Sequence, residues 1–166
     1  MTTQERVGDD DGPEEVPPGD ILAPSPLLTL GAFVVGVGID QVVPVGLLLT
    51  GSWLFLLGVP LIVAGCFFFG GALWTMRAHD KHPAHSDEPP TLITDGPFQY
   101  SRNPIYVGHS LVHVGASVLL NSVWPLVTLV PLLGYLRRVV QREENRLEAL
   151  FGPEYNQYRA EVRRWL

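Results

Sequence analysis

Charge is what this sequence lacks over much of its length. Residues 104 to 136 hold no Asp, Glu, Lys or Arg, and residues 27 to 76 hold one, Asp40. A helix with no charged face is poorly suited to the surface of a soluble domain, and runs of this kind are suited to hydrocarbon. Cysteine is nearly absent: Cys66 stands alone, so no internal disulfide can form and the redox compartment stays unread. No catalytic triad and no metal-box spacing stands out. The first residues lack a basic n-region and a small-residue cleavage site, so a cleaved signal peptide is not expected.

What is present is apolar and bunched. Apolar types make up 46% of 166 residues, and mean hydropathy is +0.19, high for a soluble chain of one domain's length. A hydrocarbon core about 30 Å thick takes about 20 residues of helix, so the two apolar blocks hold about four crossings. These are expected at 27 to 45, 52 to 75, 104 to 121 and 122 to 140. Pro44, Gly46 and Gly51 break the first pair, and Asn121, Ser122 and Pro125 turn the second. An alternative lays residues 40 to 52 along the outer interface. Of eleven Lys and Arg, Arg6 precedes the first crossing, Arg77, Lys81 and Arg102 lie between the second and third, and seven follow Leu136. The positive-inside rule then puts both ends and the 76 to 103 loop in the cytoplasm. Seven of seventeen acids lie in residues 1 to 20 with three prolines and three glycines, a composition that cannot build a core. The expected fold is all-α: an integral membrane bundle of about four transmembrane helices with a cytoplasmic amphipathic C-terminal helix. A disordered acidic tail over residues 1 to 26 precedes one domain, 27 to 166, in the inner (plasma) membrane, with membrane lipids as partners and no nucleic acid.

The polar residues that interrupt this pattern fall in two places. GPFQYSRNPIYVG, residues 96 to 108, sets Arg102, Tyr100 and Tyr106 just before an apolar run. Gly96-Pro97 reads as a turn, and Asn103-Pro104 as a helix opening in which Asn accepts a backbone hydrogen bond and Pro fills the first position. Glu143 and Glu144 come soon after the last apolar run. Adjacent helix positions point about 100° apart, so one can face inward and the other water. Phe151-Gly152-Pro153 ends one helix and opens another, beyond which Tyr155, Tyr158, Val162 and Trp165 recur at three and four residues with Arg159, Arg163 and Arg164 between. That spacing predicts a helix lying in the headgroup layer, arginines toward anionic lipid. His79, His82 and His85, or His109 and His113, offer a rival metal or haem reading; Pro83 and Pro89-Pro90 argue against a regular helix presenting the first three. The candidate site carries no metal.

The order Gly96-Pro97-Phe98, Tyr100, Arg102-Asn103-Pro104, Tyr106 and Gly108, then Glu143-Glu144, then Phe151-Gly152, Tyr155 and Tyr158, resembles the isoprenylcysteine carboxyl methyltransferase and phospholipid methyltransferase superfamily over residues 91 to 165. Asn103 stands where many members carry His; an amide can hold a hydrogen bond but not a proton charge. The resemblance implies a membrane enzyme that uses S-adenosylmethionine to methylate a lipophilic small molecule, a lipid or an isoprenoid-type carboxylate. It also implies site residues. Arg102, Tyr106 and Glu144 are expected at the reaction centre, with Tyr100, Arg102, Asn103, Pro104, Tyr106, His109, Glu143 and Glu144 around the cofactor. A guanidinium suits the cofactor's carboxylate, a carboxylate its ammonium, and aromatic walls its sulfonium and adenine. Loop 77 to 95 is a candidate lid. Two other readings compete: a nicotinamide-dependent reductase of the sterol reductase type, in which an acid commonly stands where this chain has His109, and a non-enzymatic helical scaffold.

Overall fold

A computed structural model describes residues 25–47, 49–80 and 91–166. The expected acidic tail, all but its last two positions, and His82, His85 and most of the candidate lid lie outside the described residues. Within them every regular element is a helix: α1 (Ser25–Val42), α2 (Ser52–Asp80), a 3-10 turn (Gly96–Gln99), α3 (Pro104–Leu119), α4 (Trp124–Phe151) and α5 (Pro153–Glu161). Prolines stand at the first or second position of every element but α2. Pro104 and Pro153 occupy first positions and Pro125 a second, where the missing N–H costs nothing. Pro60 and Pro131 fall inside α2 and α4, as apolar helices packed on neighbours tolerate. Between α3 and α4 the chain reverses at Asn121, which adopts φ 52°, a left-handed geometry open to few side chains other than Gly and Asn.

Packing follows the small residues. α2 lies along α3 with Gly58 facing Gly115 and Gly65 facing Gly108, the two pairs seven residues apart on each helix. A Cβ on Gly65 would stand 2.7 Å from the Gly108 carbonyl oxygen, and one on Gly115 would stand 2.7 Å from that of Gly58. Backbones this close gain dispersion contacts where burial from water supplies little drive. α1 lies along α4 in the same manner, Gly36 resting on Pro125. A buried cluster of Tyr106, Leu129, Leu132, Leu136 and Val140 joins α3 to α4, with Trp165 packed against it. Outward, α2 presents Trp53, Phe55, Phe67 and Trp74.

Among the described residues α2 is the one helix long and apolar enough to cross a membrane, over Ser52–His79, and α1 supplies a shorter apolar helix, Pro26–Val42. α3 is 16 residues long, and α4 meets its first charge at Arg137. Length and composition thus meet the expectation of about four crossings in full at one of the four.

The reading of the last segment needs correcting. α5 ends at Glu161, and Val162 is extended (φ −114°, ψ 134°), so Trp165 does not continue the face begun by Tyr155 and Tyr158. Those two tyrosines are 0% and 7% exposed. They face protein, because α5 folds back beneath the start of α3 and residues 162–166 continue as a strap across it.

Candidate active site

The site is assembled where α3 begins. Gly96, at φ +59°, passes Thr75 so closely that a Cβ would meet its Oγ1 at 2.5 Å, and Pro97 sits in the space left by Gly71. The Gly-Pro pair therefore docks the 3-10 turn on α2. Tyr158 Oη donates to the Phe98 carbonyl at 2.7 Å and ties α5 to the same turn. The strap then fixes the next three residues. Arg102 N–H donates to the Arg163 carbonyl at 3.0 Å, while Ser101 Oγ and Asn103 Nδ2 both donate to the Arg164 carbonyl, at 3.2 and 3.1 Å. Asn103 makes no side-chain cap. Its amide is spent as a donor to the strap, which replaces the expected capping role.

Held this way, the Arg102 side chain meets Glu144 of α4. Arg102 Nη2 stands 3.1 Å from Glu144 Oε1, and Arg164 Nη2 stands 2.6 Å from Oε2. The Arg102 and Glu144 side chains are 8% and 6% exposed and that of Arg164 27%. Glu144 lies one turn past Val140, on the stripe that α4 buries, which is why it turns inward. Its neighbour Glu143 faces outward along the cavity wall, where its Oε1 accepts a 2.8 Å hydrogen bond from Tyr106 Oη. Glu143 is exposed as a whole residue, yet protein crowds its carboxyl end. That desolvation pushes its pKa above the ordinary range, and the Tyr106 hydrogen bond opposes the shift. Burial likewise pushes the Tyr155 and Tyr158 hydroxyls up, with the Glu144 charge adding to the effect at Tyr155.

These groups line a cavity of about 630 Å³. Arg102, Asn103, Pro104, Tyr106, Glu143 and Glu144 all reach it, and Phe98, Leu147, Phe151, Tyr155 and Tyr158 wall it. Six of the eight expected site residues are thereby brought together. Tyr100 is 61% exposed and outside the cavity; it sits in the turn between the 3-10 helix and α3. His109 is outside too, its ring 4.5 Å from that of Phe69 on α2. His113 meets the Pro125 carbonyl and the Phe33 ring instead, so the two rings do not share a site. His79 contacts the Thr75 carbonyl and Asp95. Among the described residues the donors Arg102 Nε and Nη1, Arg164 Nε and the Tyr155 hydroxyl are buried with no hydrogen-bond partner, as is the acceptor Glu144 Oε1. Native proteins leave few such donors unsatisfied, so a cluster beside a cavity marks a place for a polar ligand.

Residues 41–154 match the Phospholipid methyltransferase family. The chain belongs to that family. Among its curated relatives, mouse Protein-S-isoprenylcysteine O-methyltransferase is 29% identical over 114 residues, which cover 67% of this chain and 40% of the mouse protein. The human protein of the same name is 27% identical over the same shares, and that of Schizosaccharomyces pombe is 38% identical over 72 residues, 43% of this chain and 30% of the yeast protein. The matched segment thus spans about two-fifths of the mammalian relatives' length. No solved structure matches. The family match contains Arg102, Tyr106, Glu143 and Glu144, while Arg164, which the sequence reading assigned to lipid, lies beyond it. Nothing in the spacing of Arg159, Arg163 and Arg164 marks the one that turns inward; the break at Val162 decides it.

Proposed function

We propose that this chain transfers a methyl group from S-adenosylmethionine to a lipophilic acceptor at the cytoplasmic boundary of a membrane, within a four-crossing bundle whose two ends are cytoplasmic. The observation that carries this reading is the pair of unpartnered N–H groups of buried Arg102 beside a cavity of about 630 Å³, a volume within the usual range for small-molecule pockets. The donor set fits the cofactor. Arg102 would hold its carboxylate through Nε and Nη1. Glu143 would hold its ammonium, since Glu144 is already engaged by two guanidiniums. Phe98, Tyr155 and Tyr158 would wall its adenine and sulfonium.

When bound, the cofactor supplies an electrophilic methyl group on positive sulfur. The protein's own part is alignment and exclusion of water. Apolar side chains such as Phe98, Leu147 and Phe151 make up much of the wall, and fixed groups would hold the reactants in line, which suits a reaction whose charge disperses or disappears. A carboxylate acceptor needs no general base, in keeping with the absence of a triad. By the names of its relatives, an S-isoprenylcysteine is one acceptor of this class. The test is thermal unfolding of detergent-purified protein with S-adenosylmethionine, S-adenosylhomocysteine or reduced nicotinamide cofactor. Ligand at about 100 times Kd adds about 2.7 kcal/mol, which raises Tm by roughly 5–11 °C for a chain of this size. A rise with the nicotinamide alone overturns the proposal in favour of a reductase. Labelled methyl donor incubated with membrane extract then identifies the acceptor.

A further inference from the structure

Glu144 is shared by two guanidiniums from distant parts of the chain, and the second is not a cavity residue. Arg164, which does not line the cavity, reaches Glu144 Oε2 at 2.6 Å from the strap, while Arg102 meets Oε1 at 3.1 Å with Nε and Nη1 left over. Two positive groups against one carboxylate leave an excess positive charge; Arg164 Nε is also without a hydrogen-bond partner among the described residues, but Arg164 does not line the cavity, so toward the cavity the excess is presented by Arg102. A guanidinium offered a whole carboxylate takes both oxygens in a forked pair. Arg164 prevents this by occupying Oε2. The same strap holds the Arg102 backbone through the Arg163 carbonyl.

We infer that Arg164 is a positioning residue: by claiming one oxygen of Glu144 it keeps Arg102 from closing on that carboxylate and leaves two of its N–H groups, and one positive charge, for the carboxylate of a bound nucleoside amino acid. This rests on the cofactor reading above and assigns the strap a part in it. Without Arg164, Arg102 forks onto Glu144, the pair becomes neutral, and the ligand's anionic end loses its partner. The ligand's nucleoside end is held by Phe98, Tyr155 and Tyr158, with none of which Arg164 makes a hydrogen bond among the described residues; only its charge is felt at Tyr155, so that end loses little.

The experiment compares two ligands by calorimetry on full-length protein in detergent. S-adenosylhomocysteine carries the amino-acid end; 5′-methylthioadenosine keeps adenine, ribose and sulfur and lacks it. Arg164→Gln is expected to weaken S-adenosylhomocysteine by about ten- to hundredfold, the worth of a charge-assisted contact, and to leave methylthioadenosine within about twofold. Arg164→Lys keeps a charge on Oε2 without the fork, and is expected to lose only about threefold, again for S-adenosylhomocysteine alone. Should Arg164→Gln fail to fold, the lysine variant carries the test by itself. Equal weakening of both ligands means the strap is merely structural and overturns the inference, as does no weakening of either. If the unaltered protein binds neither ligand, the cofactor reading itself falls, a result distinct from both.

Discussion

Replacing Gly108 by Ala would put a methyl group 2.6 Å from the Phe69 backbone nitrogen, 2.7 Å from its Cβ and 2.8 Å from the Gly65 carbonyl oxygen. Ordinary contact begins near 3.4 Å, so α2 and α3 must part by about 0.6–0.8 Å, and two of the three obstacles are backbone that cannot swing aside. Overpacking of this kind costs about 1–3 kcal/mol, and the rigidity of the neighbours places it toward the upper end. Ala in a helix gains about 1 kcal/mol over Gly, leaving a net loss of about 2 kcal/mol. Gly70, on the same α2 helix, is an internal control, because nothing lies within 4 Å of its missing Cβ. There the gain of about 1 kcal/mol should stand alone. The two variants should differ by about 3 kcal/mol, or about 6–12 °C in Tm at this chain length. Tryptophan fluorescence during heating in detergent reads both. Equal melting of Gly108→Ala and Gly70→Ala, within about 2 °C, would refute the claim that close backbone approach sets the α2–α3 distance.

Three further outcomes are expected. Glu144→Gln leaves two guanidiniums without a charge partner. Breaking a buried pair costs about 3–5 kcal/mol, reduced here to about 2–4 kcal/mol because Arg164 is partly exposed and screened, so Tm should fall by at least about 4 °C; an unchanged Tm would count against the ion-pair geometry. Glu143 has a raised carboxyl pKa, so its ionised form costs stability at neutral pH, and that cost lifts as pH falls through the raised value and is gone below the ordinary 4.5. Glu143→Gln should accordingly melt higher than the parent at pH 8, with the difference closing toward pH 4.5; a gain that grows on acidification would show the sign to be wrong. Tyr158→Phe removes the 2.7 Å bond to the Phe98 carbonyl at a cost of about 1 kcal/mol, read as faster proteolysis of the segment around the 3-10 turn; unchanged cleavage would mean the bond does not hold α5 in place.

Helix existence and limits were largely written in the residues. The expected spans 27 to 45, 52 to 75 and 104 to 121 meet Ser25–Val42, Ser52–Asp80 and Pro104–Leu119, because long apolar runs and Pro or Gly punctuation act within a few residues. The break at Gly152-Pro153 was legible for the same reason. The helical stretch expected to end at Phe151-Gly152 and the crossing expected over 122 to 140 are one continuous helix, Trp124–Phe151, since a charged amphipathic stretch is as good a helix as a greasy one. The inward face of Glu144 and outward face of Glu143 were open alternatives from sequence, settled by which side of α4 the core takes. Arg164 and the donor role of Asn103 were hidden because they depend on contacts across 20 and 61 residues of chain. A three- and four-residue spacing defines a face of a helix, and it does not say whether lipid or protein covers that face.

α4 runs unbroken from Trp124 to Phe151, so the carboxylate of Glu144 rides on the same rod whose far end is apolar. About 30 Å of helix separate the two at 1.5 Å per residue, and over that span a tilt of about 2° carries the carboxylate through about 1 Å. If the apolar end is seated in hydrocarbon as proposed, a thinner or thicker bilayer leans the rod and displaces the ionic latch at its tip. The lipid would then act as a setting on the chemistry as well as a solvent for the acceptor.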